Sequence, residues 1–127
     1  MEVERIKSFR DLNTWKEGHK LVLLVYKMVG LFPQKEKFGL ISQLSRAVVS
    51  ITSNIAEGFA RRTYKDKLRF YYMSLGSLVE VQNQILIARD VGYISKNDFY
   101  KIANQTVVVS KLINGLIKKT KTFLHNS

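Results

Sequence analysis

Long helical periodicities, with few places to break them, constrain this chain more than any other feature. One proline (Pro33) and seven glycines occur in 127 residues, and turn signals lie far apart. Proline and glycine are the strongest interrupters of regular backbone, so their scarcity favours an all-α fold. A first helix is expected over about residues 10–31, where Leu12, Trp15, His19, Val22, Tyr26 and Val29 recur at helical spacing. Phe32-Pro33 ends it, because the residue before proline avoids the α region. A second spans about 37–58, its apolar stripe Leu44, Val48, Ile51 and Ile55, with Gly58 suited to a C-cap. Thr63, with Asp66 three residues on, opens a third over about 64–90. It carries Leu68, Tyr71, Tyr72, Leu75, Leu78, Val79, Ile85 and Leu86, and Gly92 breaks it. Ser95, with Asp98 three on, caps a fourth over about 96–120, beyond which a frayed tail is expected. Its face is Phe99, Ile102, Ala103, Thr106, Ser110, Ile113 and Ile117, and this spacing outweighs the weak helix propensity of Val107–Val109.

Short loops between long helices make neighbours antiparallel, hence one up-down-up-down four-helix bundle over residues 1–127. Apolar residues also spread beyond one core-facing stripe. Leu21, Leu23, Leu24, Val25 and Met28 widen helix one, and Val108, Val109, Leu112 and Leu116 widen helix four. Such arcs predict self-association, although a thick core would account for them too.

Cysteine is absent, which excludes disulfides, thiolate metal sites and a cysteine nucleophile. MEVERIKSF has mixed charges and no apolar h-region, so no secretory signal is expected. Lys27 interrupts the most apolar run, Leu21–Phe32, which is too short to span a bilayer. The expectation is therefore a cytoplasmic protein without a membrane partner. Lys and Arg number 21 against 10 Asp and Glu, a net charge of +11. Such a balance suits a polyanionic partner, nucleic acid ahead of a membrane surface, or reflects a lysine-rich proteome.

Enzyme readings fit poorly. A di-metal bundle needs Glu-x-x-His on inward faces, but His19 and His125 are the only histidines and Glu17 lies two residues from His19. No arginine precedes either histidine at the spacing a helical ribonuclease needs, and no Ser-His-Asp set or phosphate loop is apparent. His19 reads as a core-edge residue. The expectation is a non-enzyme without metal or cofactor.

Two polar constellations remain. Gln43, Arg46, Ser50, Asn54 and Glu57 form one stripe of helix two, and helix three carries Gly76-Ser77-x-x-Glu80. Antiparallel pairing at a register summing to about 123 sets Arg46 level with Ser77 and within reach of Glu80. It also brings Asn54 near Arg69 and Tyr72, and Glu57 near Lys65 or Arg69. Gly76 and Ser77 would let the helices approach closely. The stripe reads either as a seam fixing helix register or as a pocket for a ligand or RNA group. Basic residues form the second constellation. Arg61, Arg62, Lys65, Lys67 and Arg69 surround the turn into helix three, and Lys111, Lys118, Lys119 and Lys121 lie late in helix four. An up-down bundle brings both to the pole that holds Arg5, Lys7 and Arg10, either as a phosphate-binding surface or as a solvated one. Tyr64 is the better stacking candidate, whereas Tyr71 and Tyr72 suit packing.

Ser50-Ile-Thr-Ser53-Asn54-Ile55-Ala56-Glu57-Gly58 resembles the SxxSNIAEG signature of the 23S rRNA-intervening-sequence proteins, or four-helix-bundle proteins. Phe9-Arg-Asp-Leu12 with Trp15 resembles the family's opening, Phe32-Pro33 falls at its first helix end, and Gly76-Ser77-Leu-Val-Glu80 is similar to its GSxxE element. The likeness covers about Phe9 to Lys119. Ser45 departs from a second arginine often found before Arg46, and Met73-Ser74 from a more alanine-rich stretch. The resemblance implies a left-handed antiparallel bundle that assembles as a homopentameric ring. It also implies bacterial relatives, some encoded within insertions in 23S rRNA genes. A related bundle, the accessory variability protein of diversity-generating retroelements, binds nucleic acid and a reverse transcriptase. Two functions follow as expectations. One is RNA or nucleic-acid binding through Arg61, Arg62, Tyr64, Lys65, Lys67, Arg69, Lys118 and Lys119. The other is a protein-interaction adaptor that recruits, for example, a polymerase or reverse transcriptase. Arg46, Ser50, Asn54, Glu57, Ser77 and Glu80 form the structural polar seam in either case.

Overall fold

The computed structural model describes residues 6–126, which form four α-helices and no strand. These are α1 (Asn13–Val29), α2 (Leu40–Ala60), α3 (Tyr64–Asp90) and α4 (Lys96–Asn126). Local chemistry sets most of their ends. The Thr63 hydroxyl accepts from the Asp66 amide at 3.1 Å, and the Ser95 hydroxyl accepts from the Asp98 amide at 3.2 Å. Both satisfy amides that the first helical turn leaves free. Gly92 turns the chain between α3 and α4 at a φ of +84°, a backbone region glycine enters without penalty.

Three boundaries differ from the periodicity. α1 starts at Asn13 because a 3₁₀ turn over Phe9–Asp11 precedes it, closed by a reciprocal Ser8–Asp11 capping box. α2 starts at Leu40 rather than near residue 37, where a carboxylate accepts from its first amide: Glu36 Oε1 to Leu40 N is 3.1 Å. Glu36 is itself held by the Tyr93 hydroxyl at 2.7 Å, a contact across the bundle. α2 also runs through Gly58 to Ala60, so Gly58 is not a C-cap. α4 continues past residue 120 into the segment expected to fray. There Thr120 is buried, and Phe123 stacks on Tyr64 with ring centres 5.5 Å apart.

The helices pack antiparallel in cyclic order, each on its two sequence neighbours, with α4 closing on α1. Thr14 Oγ1 donates to Leu112 O at 3.4 Å, Gln105 to Glu17 O at 2.9 Å, and Gln82 to Thr106 Oγ1 at 3.2 Å. Leu44, Val48, Ile51 and Ile55 are fully buried, as their spacing requires. Each such side chain contributes about 1.5–3 kcal/mol relative to exposure. The inward face of α1 is Thr14, Gly18, Leu21, Val25 and Met28, rotated from the expected stripe. His19 and Tyr26 face outward, and His19 stacks on Trp15 at 4.8 Å instead of edging the core. On α3, Ser74 and Val81 are buried while Tyr72, Val79 and Leu86 are exposed. On α4, Val109 points inward.

Candidate nucleic-acid interface

The α2–α3 turn, the start of α1 and the end of α4 meet at one pole of the bundle, as the up-down topology requires. The basic residues there differ in how free they are. Lys67 donates from Nζ to Phe59 O at 2.6 Å and to Gly58 O at 3.4 Å. It therefore closes the C-terminus of α2, where carbonyls lack helical partners and a cation is favoured. Burial pushes its ammonium below the ordinary lysine range. Lys67 is thus a capping residue and not an open phosphate ligand, contrary to the expectation. Arg61 pairs with Glu57 at 2.9 Å and lies 4.5 Å from the centre of the Phe70 ring. Arg69 lies 5.1 Å from that same ring. Two guanidiniums so flank one aromatic residue, an arrangement that stabilises positive charge.

Arg62, Lys65, Lys118 and Lys119 are exposed and have no ion-pair partner among the described residues. Lys118 lies one turn before Lys121 on the same helix face, and Lys121 sits over Tyr72 at 5.4 Å. Lys7 and Arg10 are exposed at this pole, whereas Arg5 lies outside the described residues. Tyr64 is 38% exposed, but its stack on Phe123 occupies one face of the ring. Tyr71 is a packing residue. Its burial against α2 raises the phenol to about 12.

The polar stripe of α2 meets α3 in a register about one turn from the expected one. Ser50, not Arg46, faces Ser77, with hydroxyl oxygens 2.8 Å apart. Asn54 Nδ2 donates back to Ser50 O at 2.8 Å and to Ser50 Oγ at 3.0 Å, so it reaches neither Arg69 nor Tyr72. Glu57 turns to Arg61 instead of to Lys65 or Arg69. Ser74, which the sequence reading passed over, donates to Ile51 O at 2.8 Å inside the bundle. Close approach comes from Gly58, where a Cβ would fall 2.6 Å from Tyr71 Cε1. Gly76 has open space at that position and does not draw the helices together.

Arg46 and Glu80 form no ion pair among the described residues; they line opposite sides of one open hollow. Gln43 and Gln84 line it too. Sequence reasoning missed Gln84, whose signal is an amide among the apolar positions Val81, Ile85 and Ala88. No group of three or more His, Asp or Glu that could hold a metal ion occurs among the described residues. No helix is long and apolar enough to cross a membrane.

The profile described as 23S rRNA-intervening sequence protein matches residues 10–115. The chain belongs to that family. A solved structure from Bacteroides thetaiotaomicron, a protein of unknown function from the S23 ribosomal protein family, has the same fold. It superposes with a TM-score of 0.75 at 20% identity, covering 83% of this chain and 95% of that one. No curated protein matches the chain. In this 23S rRNA-intervening sequence protein, the matched segment includes the polar stripe and the basic turn from Arg61 to Arg69. Lys118 and Lys119 lie beyond its end.

Proposed function

We propose that this 23S rRNA-intervening sequence protein is a non-enzymatic, homo-oligomeric, cytoplasmic bundle that binds RNA through its basic pole. The convergence of Arg62, Lys65, Lys118 and Lys119, exposed and unpaired by carboxylates, carries the reading. Arg61, Arg69 and Tyr64 flank them as a cationic and aromatic rim. Cations of this kind grip phosphates with little sequence preference and with strong salt dependence.

Self-association rests on two exposed apolar faces. Trp15, Val22 and Tyr26 of α1 lie beside Val49 of α2, and Tyr72, Val79 and Leu86 of α3 lie beside Tyr100 and Val107 of α4. None of these side chains is charged. In the cyclic order of helices the two faces lie on opposite sides, which suits a head-to-tail contact. Such a contact closes into a ring when its rotation permits, and multiplies the basic pole around an annulus. A pentamer is the favoured number. The same faces also suit an adaptor that recruits a protein partner such as a polymerase. A stoichiometric partner that survives nuclease treatment, bound by a variant lacking the basic pole, would favour that second reading.

Anisotropy of a labelled single-stranded RNA across a salt series tests RNA binding. Affinity should fall linearly with salt on logarithmic axes, and Arg62→Glu with Lys65→Glu should reduce the slope by about two. No binding at low salt would overturn the reading.

A further inference from the structure

The hollow between α2 and α3 has a volume of about 420 Å³ and is lined by Gln43, Arg46, Ser50, Ser77, Glu80 and Gln84. Its chemistry differs from that of the basic pole. The Ser50–Ser77 hydroxyl pair is half-buried and internally satisfied, and Asn54 donates to Ser50 besides. Arg46 and Glu80 are exposed and unpaired with one another. Gln84 is only 8% exposed. Its Oε1 is the one buried side-chain polar atom without a hydrogen-bond partner among the described residues. Buried polar atoms are almost always satisfied, so an orphaned amide oxygen in the lining of a hollow calls for a donor.

The group that would satisfy this lining is constrained. Glu80 disfavours a phosphate, and a single carboxylate is a weak cation site. The α3 side offers three acceptor oxygens, two from Glu80 and one from Gln84, four residues apart and therefore on one helix face. The α2 side offers the guanidinium fork of Arg46. A complementary ligand has several N–H donors on one edge and paired acceptors on the next. Guanine has three N–H bonds at N1 and N2, and acceptors at O6 and N7 that an arginine fork matches. Adenine and cytosine each offer a single amino group. Unstacked bases of single-stranded RNA are read by such hydrogen bonds on their edges.

We propose that this hollow is a guanine-binding site. Glu80 and Gln84 accept from the N1–H and N2–H₂ edge, and Arg46 donates to O6 and N7. The guanine is either a base of bound RNA or a free nucleotide. The RNA source rests on the function proposed above; the base site itself does not.

The test titrates guanosine, inosine and adenosine monophosphates into full-length protein carrying Arg62→Glu and Lys65→Glu, which silences phosphate binding at the pole. Binding is read by side-chain amide NMR shifts, including those of Gln84. The guanine nucleotide should bind at least tenfold more tightly than the adenine one, with inosine, which lacks the N2 amino group, between them. Glu80→Gln and Gln84→Met should each abolish that preference while leaving the helical circular dichroism intact. Glu80 is exposed, so its variant keeps the fold even if Gln84→Met does not. A second arm compares oligouridine with the same oligomer carrying one guanosine, on protein with an intact pole. Tighter binding of the guanosine oligomer, lost in Glu80→Gln, assigns the site to RNA. Preference for the free nucleotide alone supports the site and assigns it to nucleotides. Equal binding of guanine and adenine forms, or a preference that Glu80→Gln leaves unchanged, overturns the proposal. Salt-dependent RNA binding at the pole stands or falls separately.

Discussion

Gly58 and Gly76 show how differently one residue type acts on two facing helices. A Cβ at Gly58 meets Tyr71 Cε1 at 2.6 Å, Tyr71 Cδ1 at 2.9 Å and Phe70 Cβ at 3.1 Å. Tyr71 is buried and has little room to retreat. Gly58→Ala should destabilise by about 1–3 kcal/mol, the usual cost of overpacking. A Cβ at Gly76 meets nothing within 4 Å, so Gly76→Ala should stabilise by up to about 1 kcal/mol through helix propensity. Urea midpoints of the two variants check the contrast, and equal effects would refute it. The Glu36–Tyr93 contact makes a pH prediction. Hydrogen bonds from Tyr93 and from the Leu40 amide hold Glu36 below its ordinary value of 4.5. Its stabilising contribution is therefore present above that value and is lost as pH falls below it. The stability gap between wild type and Glu36→Gln should shrink on acidification through this window. Tyr71 gives the opposite limb. With its phenol raised from 10.0 to about 12, its contribution holds below pH 10.0 and disappears as pH rises through about 12. Phenolate absorbance on alkaline titration should register one late tyrosine, absent in Tyr71→Phe.

Helix number, order and most caps are legible in the sequence, because they depend on local chemistry. Thr63 and Ser95 cap where they should, and the span of α3 is as expected. What escaped depends on partners distant in sequence. Glu36 sets the start of α2 only because Tyr93 fixes it from the far loop. Phe123 prolongs α4 because Tyr64 awaits it at the pole. The face of α1 was misread because its apolar arc is wide, and close packing is set by a residue without a side chain: a Cβ at Gly18 would lie 3.1 Å from Thr52 Cγ2. The stripe of α2 identified the right polar residues, but their partners shifted by a turn because Gly58, not Gly76, admits the close approach. Lys67 looked like a phosphate ligand because its carbonyl partners are backbone atoms, which sequence cannot display. Lys67→Met should weaken the end of α2 by about 0.3–1 kcal/mol. Amide exchange should quicken near Phe59 and stay unchanged at Leu44; uniform change would contradict the capping role.

At the scale of the whole molecule, net charge and apolar surface have separate places. Charge of +11 gathers its unpaired cations at one pole, while uncharged aromatic and aliphatic residues occupy the bundle's flanks. Light scattering should give a mass several times that of the 14.7 kDa chain. Tyr26→Lys and Val79→Lys, on opposite flanks, should each lower it without loss of helix. A monomeric wild type would remove the oligomeric part of the account. The central claim is that the pole of Arg62, Lys65, Lys118 and Lys119 binds RNA. The most direct measurement is the salt slope of RNA anisotropy for wild type against the quadruple charge reversal. The account predicts linear, salt-weakened binding by wild type and none by the variant, with the helical spectrum unchanged. Equal binding by both proteins, or none by wild type at low salt, would contradict it.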